Sequence, residues 1–223
     1  MQYTQFHGNT FCFVNKNASE FQLQSEMQEV DLTMHYEYIE NVGTTKIFKC
    51  QFTNKDGSEA SLCCNALFAL MKQEGLGEYL FKTLSGEYYG FYSDGEMYLS
   101  MPDGEIIESN MSDFIFNVNV GNLHEIMLFK DDKMQYNFAC SQQIYGNEKC
   151  LNVDHNTHII WNKNGDTFQV RCFERGVGET QACGSGAYAV GIAMMQHFDL
   201  QEVFIEMKGG RYQVKKNKLI VSL

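Results

Sequence analysis

The sequence predicts an α/β protein built from two related domains facing one another, and three observations predict it. Short segments rich in β-branched and aromatic residues alternate with turn signals along most of the chain. Two helical segments sit at similar places in the two halves. Each is preceded by a strand, a Gly-bearing turn with an acidic residue, and then a cysteine: FTNKDGSEASLCCNA in the first half, FERGVGETQACGSGA in the second. The 223 residues, 44% of them hydrophobic, can bury a sizeable core and suit two domains of about 110 residues each. A boundary near residue 112 divides the chain into 1–112, carrying Cys63, and 113–223, carrying Cys183.

In chain order, the first helical candidate is SEFQLQSEMQEV (19–30), with Ser19 as N-cap and Phe21, Leu23 and Met27 as buried positions. KIFKCQF reads as a strand and KDGSE (55–59) as the turn after it. CCNALFALMKQEGLGEYL (63–80) reads as a helix, with Leu67, Leu70 and Met71 at helical spacing. YYGFYS, EMYLSM and FIFNVNV follow as strands, punctuated by SGEYYG, SDGEM and MPDGE. HIIWN and TFQVRCF flank the turn NKNGD. The second helix, CGSGAYAVGIAMMQHF (183–198), starts with small residues and continues with Ala187, Val190, Gly191 and Met194 on one face, before strands EVFIEM and KLIVSL. With a single proline in the chain, Gly, Asn, Asp and Ser must supply the turns.

A net charge of −11 argues against a nucleic-acid or anionic-membrane partner, since either would repel such a surface. No run of about 18 apolar residues occurs, and the start MQYTQFHGNTFCFV lacks the basic flank and apolar core of a signal peptide, so a cytoplasmic protein is expected. The eight cysteines are then reduced thiols. None has the C-x-x-C spacing of a structural zinc site, so no metal is expected and most are small core residues.

Cys63 and Cys183 differ from the rest because each stands at a helix start. Unpaired backbone N–H groups and the positive end of the macrodipole favour a thiolate there, so a lowered pKa is expected. The same N–H groups bind carboxylates, and small residues let a ligand approach the backbone. Two such ends across one cleft would set thiols on opposite faces of a substrate α-carbon, one removing its proton and the other delivering one, with no cofactor. Two unremarkable helices with buried cysteines remain the alternative at this point.

These residues also resemble a known family. ERGVGETQACGSGA is similar to the second active-site cysteine signature of the diaminopimelate epimerases, and NKDGSEASLCCNA resembles their first. MQYTQFHGNTFCFV, VGNLHE (120–125) and HNTHII (155–160) resemble three further elements, in family order from residue 1 to about residue 215. The resemblance implies pseudo-symmetric domains, each a curved, mostly antiparallel sheet around a central helix. It implies that Cys63 and Cys183 are the base and acid, exchanging roles with substrate handedness, and that His124 and Glu174 sit beside them and assist deprotonation. Backbone N–H groups of Cys64, Asn65, Gly184 and Ser185 would hold the reacting carboxylate. Asn9, Asn54, Asn122, Asn156 and Arg175 would hold the rest of a substrate with two amino-acid ends, Arg pairing the far carboxylate and Asn carbonyls accepting from its ammonium.

The expected activity is interconversion of LL- and meso-diaminopimelate. A racemase of another amino acid such as histidine, or a non-catalytic amino-acid-binding homologue, are the alternatives. A homodimer is expected by resemblance alone. Cys64 and Ala66 stand where the family has glycines, Leu123 replaces a proline, and Thr157 and His158 replace a Val-Asn pair. The chain stops at KKNKLIVSL, where the family continues into a last strand returning to the first domain, so closure of the two halves is expected to be built differently.

Overall fold

The computed structural model describes residues 1–15, 30–110, 115–128, 155–175 and 177–223. The helix expected at 19–30 and the boundary near 112 fall outside the described residues, apart from Val30, which precedes a strand.

The fold is a sheet-dominated α/β arrangement with two helices among the described residues. In the first half, β1 (Gln2–Phe6) pairs antiparallel with β2 (Asn9–Asn15), which runs parallel to β3 (Leu32–Val42). β4 (Thr45–Asn54) returns antiparallel to β3, carries the short β5 (Glu59–Ala60), and runs parallel to β6 (Gly77–Thr83). β7 (Gly86–Ser93) and β8 (Glu96–Ser100) complete an antiparallel meander. α1 (Cys64–Glu74) connects β5 to β6.

The second half repeats this pairing pattern. β10 (Ile115–Asn119) and β11 (Leu123–Leu128) are antiparallel, and β11 runs parallel to β12 (Asn156–Asn164). β13 (Thr167–Glu174) is antiparallel to β12, carries the short β14 (Gly178–Thr180), and runs parallel to β15 (Glu202–Met207). β16 (Gly210–Lys215) and β17 (Lys218–Ser222) close the meander, and α2 (Gly184–Phe198) connects β14 to β15. The halves are joined where β17 pairs antiparallel with β8 and where β9 (Glu105–Asn110) pairs with β10. The last described strand thus pairs with a strand of the first half.

Both helices are enclosed rather than amphipathic. Every residue from Cys64 to Met71 is buried, as is every residue from Gly184 to Gly191, so neither stretch has a wet face. α1 packs on β1, β7 and β8, α2 on strands from β10 to β17, and the two helices touch each other. Gly191 permits the close seat of α2 on β16: a Cβ there would lie 2.4 Å from Val214 Cγ1. One hydrophobic cluster runs through both halves, from Phe6 to Val221.

The first helix is shorter than its expected span of 63–80. Gly75 adopts φ 86°, its N–H bonds back to the Met71 carbonyl, and the chain turns into β6 at Gly77. Tyr79, counted in the helical run, lies in β6 with its hydroxyl donating to the Gly75 carbonyl. The second helix matches its expected span, with Cys183 as its N-cap.

Candidate active site

Cys63 and Cys183 are the N-cap residues of α1 and α2, both with extended backbone (φ −137°, ψ 98° and φ −128°, ψ 112°). Their helices follow β5 and β14, which lie at matching places on β4 and β13, so the repeated pairing delivers one cysteine from each half. Both line a single cavity of about 270 Å³. Its wall also holds Cys64, Asn65, Gly184 and Ser185 from the two helix starts, Asn9, Asn54, Asn122 and Asn156 from strand ends and turns, and Glu174 and Arg175 from the end of β13.

The two helix starts are tied together at one backbone group. The carbonyl of Ala182, immediately before Cys183, accepts from Asn65 Nδ2 at 3.1 Å and Asn9 Nδ2 at 2.8 Å. Tyr212 donates its hydroxyl to Asn65 Oδ1 at 2.7 Å. These partners are buried, where a lost hydrogen bond leaves an uncompensated polar group, so the clamp is costly to break. It also sets Gly184 against α1: a Cβ at Gly184 would lie 2.8 Å from Cys64 Cβ and 2.9 Å from Asn65 Oδ1. Asn65 therefore uses its side chain to position the second cysteine, while its backbone N–H remains at the start of α1. Cys64 is buried, and its Cβ faces Gly184.

The lowered thiol pKa expected from the helix ends does not occur. Burial pushes Cys63 up to about 12, with the backbone N–H groups of Ala66 and Asn65 opposing the shift and the Glu174 carboxylate adding to it. Cys183 is raised well above the usual thiol range, first by burial, then by Glu174 and Cys172, while Ser185 and the Gly186 N–H oppose. The helix-end effect is present at both sulfurs but smaller than the loss of solvation in an enclosed wall. Glu174 acts on both sulfurs. Its own carboxyl is raised by burial, against hydrogen bonds from Thr180 Oγ1 at 2.5 Å and from Cys183, and the Asp31 charge adds to the rise.

His124 is not in the cavity wall, contrary to its expected place beside a thiol. It is fully buried behind Asn122, with Nε2 3.0 Å from Asn122 Oδ1 and Nδ1 2.8 Å from His158 Nε2. Burial and the neighbouring His158 and His155 lower its pKa well below the usual histidine range, so it is neutral. His158 is held down to about 3 by burial. Asn156 Oδ1 accepts from the Arg175 backbone N–H at 2.9 Å, fixing the chain at the exposed Arg175, and Asn54 Nδ2 donates to Ser58 Oγ at 3.0 Å.

The sequence reading missed His155, which lines the cavity 3.6 Å from Glu125, and His158. The signal for His158 was a histidine amid apolar β12 residues, in a strand parallel to the one carrying His124. Among the described residues, no cluster of His, Cys, Asp or Glu could hold a metal, Cys12, Cys50, Cys63, Cys64, Cys172 and Cys183 are not joined in disulfides, and no helix is long and apolar enough to cross a membrane.

Comparison with known proteins adds to this geometry. Residues 116–219 match the family model for diaminopimelate epimerase. The chain is 28% identical over 172 residues to the diaminopimelate epimerase of Methanopyrus kandleri, covering 72% of this chain and 59% of that protein. It is 31% identical over 175 residues to the diaminopimelate epimerase of a Hydrogenobaculum species, covering 69% and 62%. The aligned part thus spans about three-fifths of these relatives' length. Among solved structures, a phenazine biosynthesis protein of the PhzF family from Bacillus anthracis superposes with TM-score 0.65 at 13% identity, covering 97% of this chain and 91% of that one. A protein from Pseudomonas aeruginosa described as a predicted epimerase does so with TM-score 0.65 at 9% identity, covering 96% and 89%. These two likenesses show the fold.

Proposed function

Because this chain belongs to the diaminopimelate epimerase family, we propose that it is a cofactor-independent amino-acid epimerase that interconverts LL- and meso-diaminopimelate by proton transfer between two thiols. One observation carries the reading: cysteines from opposite halves cap two helices that touch, and both line one cavity. The repeated strand pairing is read as two pseudo-symmetric domains, 1–112 and 113–223, each curved around its helix, with two copies forming a homodimer.

The reacting carboxylate lies on the N–H groups of Cys64, Asn65, Gly184 and Ser185, at the positive ends of both helices. Its α-carbon is then placed between the sulfurs. One sulfur, as thiolate, removes the α-proton while the opposite thiol donates to the other face, leaving the configuration inverted and the thiolate on the other side. The N–H groups stabilise the negative charge that spreads onto the carboxylate in between.

Burial favours the protonated form of both sulfurs, and the substrate ammonium brings the positive charge under which a thiolate forms. Glu174 takes the proton from Cys183, which donates a hydrogen bond to it. At the far end Arg175 pairs the second carboxylate, and Asn54 and Asn156 line its approach.

The test is incubation with LL-diaminopimelate in deuterium oxide. Deuterium should enter the α-position as meso product forms. Exchange with another amino acid, histidine included, but not with diaminopimelate would overturn the substrate, and exchange with no amino acid would overturn the epimerase.

A further inference from the structure

Behind Cys183 a chain of polar side chains runs through the second half. Cys183 Sγ lies 3.6 Å from Ser185 Oγ, which lies 3.5 Å from Asn122 Nδ2. Asn122 Oδ1 lies 3.0 Å from His124 Nε2, and His124 Nδ1 lies 2.8 Å from His158 Nε2. The chain stops there, because His158 Nδ1 is buried without a partner.

That dead end fixes which way the hydrogens point. Both rings are neutral, so each carries one N–H. In one orientation His158 Nε2–H donates to His124, His124 Nε2–H donates to Asn122, the Asn122 amide donates to Ser185, and the Ser185 hydroxyl donates to Cys183. His158 Nδ1 is then a bare acceptor. Reversal would flip the amide, turn the Ser185 hydroxyl toward Asn122, and leave a proton on His158 Nδ1 as a buried, unpaired donor. Orphaned buried N–H groups are rarer than under-satisfied acceptors, so the first orientation holds.

We propose that His158, His124, Asn122 and Ser185 form a one-way chain of hydrogen bonds that keeps the Ser185 hydroxyl donating to Cys183 Sγ, and that His158 is a positioning residue for this cysteine alone. The proposal rests on the two-thiol reading for its purpose but not for its geometry. Cys183 receives a side-chain donor, Ser185 O–H, as well as the Gly186 N–H at 3.3 Å, whereas the donors facing Cys63 are the backbone N–H groups of Ala66 and Asn65. The groups facing Cys183 electrostatically are Glu174, Cys172 and Tyr212.

Among the described residues, the first half has no counterpart to this chain. Asn9 and Phe11 open β2 as Asn122 and His124 flank the start of β11, and Phe11 opposes Leu32 as His124 opposes Asn156. Two residues further on, Met34 takes the place of His158. Phe11 and Met34 are apolar and fully buried, so neither can orient a side-chain donor toward Cys63. Gly186 leaves room for the His158 ring: a Cβ at that position would lie 2.1 Å from His158 Cε1.

The test is alkylation of the free enzyme by iodoacetamide at one mildly alkaline pH, with Cys63 and Cys183 followed separately by peptide mass spectrometry. Ser185→Ala should slow Cys183 labelling about tenfold, the scale of one hydrogen bond to an ionised group, and leave Cys63 labelling unchanged. Ser185→Thr should restore it. His158→Phe, which keeps a ring against Gly186 but cannot donate, should give a smaller loss, again at Cys183 alone. An unchanged Cys183 rate in Ser185→Ala, or equal slowing at both cysteines, overturns the proposal. An unchanged rate in His158→Phe removes the histidines from it. Because no substrate is used, the result stands apart from the exchange experiment on diaminopimelate.

Discussion

Cys63 is followed by Cys64, Asn65 and Ala66, and Cys183 by Gly184, Ser185 and Gly186, at the starts of two helices that occupy matching places in one repeated pattern. Glycine occurs where the other half or a ring comes close: Cys64 and Asn65 crowd Gly184, and His158 crowds Gly186. In α1 the corresponding positions accept a thiol and a methyl, both buried. Asn65 reaches across to hold the other half by its backbone, while Ser185 turns toward its own cysteine. A shared backbone plan thus assigns docking to one helix start and tuning of a sulfur to the other.

The strongest way to break this comparison is to remove each sulfur. Cys63→Ala and Cys183→Ala should each lower epimerisation by about 10³-fold or more, the scale of a lost general acid or base. Near-normal turnover in either variant, measured by circular dichroism or chiral chromatography of the product, would mean that the halves do not share the chemistry.

The glycines sharpen it. Gly184→Ala and Gly186→Ala should each destabilise the fold by about 1–3 kcal/mol through overpacking. That corresponds to several degrees in Tm by calorimetry for a chain of this size. Cys64→Gly, the reverse change on α1, should cost less than Gly184→Ala and preserve activity. Equal losses in the two directions would remove the distinction between the helix starts.

Asn65→Ala should destabilise by about 1–3 kcal/mol, because it leaves the Tyr212 hydroxyl without its partner and removes one donor from the Ala182 carbonyl. Ser185→Ala should be milder in a denaturant titration, since its bonds are longer.

A pH-dependent effect concerns a thiol that the two halves bury alike. Burial pushes Cys50 in β4 and Cys172 in β13 up to about 12. Above pH 9 the unfolded thiols lose protons while the folded ones keep them, so the unfolded state binds fewer and stability falls as pH rises. The contribution is complete below about 9 and is lost progressively toward 12, at a limiting slope of about 1.4 kcal/mol per pH unit for each thiol. Unfolding midpoints across that range check it, and Cys50→Ala should flatten the fall as much as Cys172→Ala.

Much of this was legible in the sequence because the relevant signals are local. The helix starts at Cys63 and Cys183 followed from small residues ahead of an apolar run, and the cavity gathers the expected residues apart from His124. The end of α1 was overrun because Leu76, Tyr79 and Leu80 continue an apolar spacing that Gly75 and Gly77 interrupt only through backbone conformation. Strands such as β3 and β16 escaped notice because charged or polar residues fill their exposed positions and blur the alternation. The thiol pKa direction was misread because helix-end polarity is visible in a sequence and enclosure is not. His124 was displaced from the cavity for a related reason: the pairing of β11 with β12 aims it at His158, a contact between positions 34 residues apart.

The carbonyl of Ala182 acts as a gauge between two separately built parts. Its donors, Asn9 and Asn65, come from early in the chain, and the sulfur it precedes comes from late. Without those early residues, nothing would set how far that thiol stands from its opposite number. Reactivity should therefore appear last during refolding, lagging behind the recovery of ordered backbone, when the early asparagines finally close on that one oxygen.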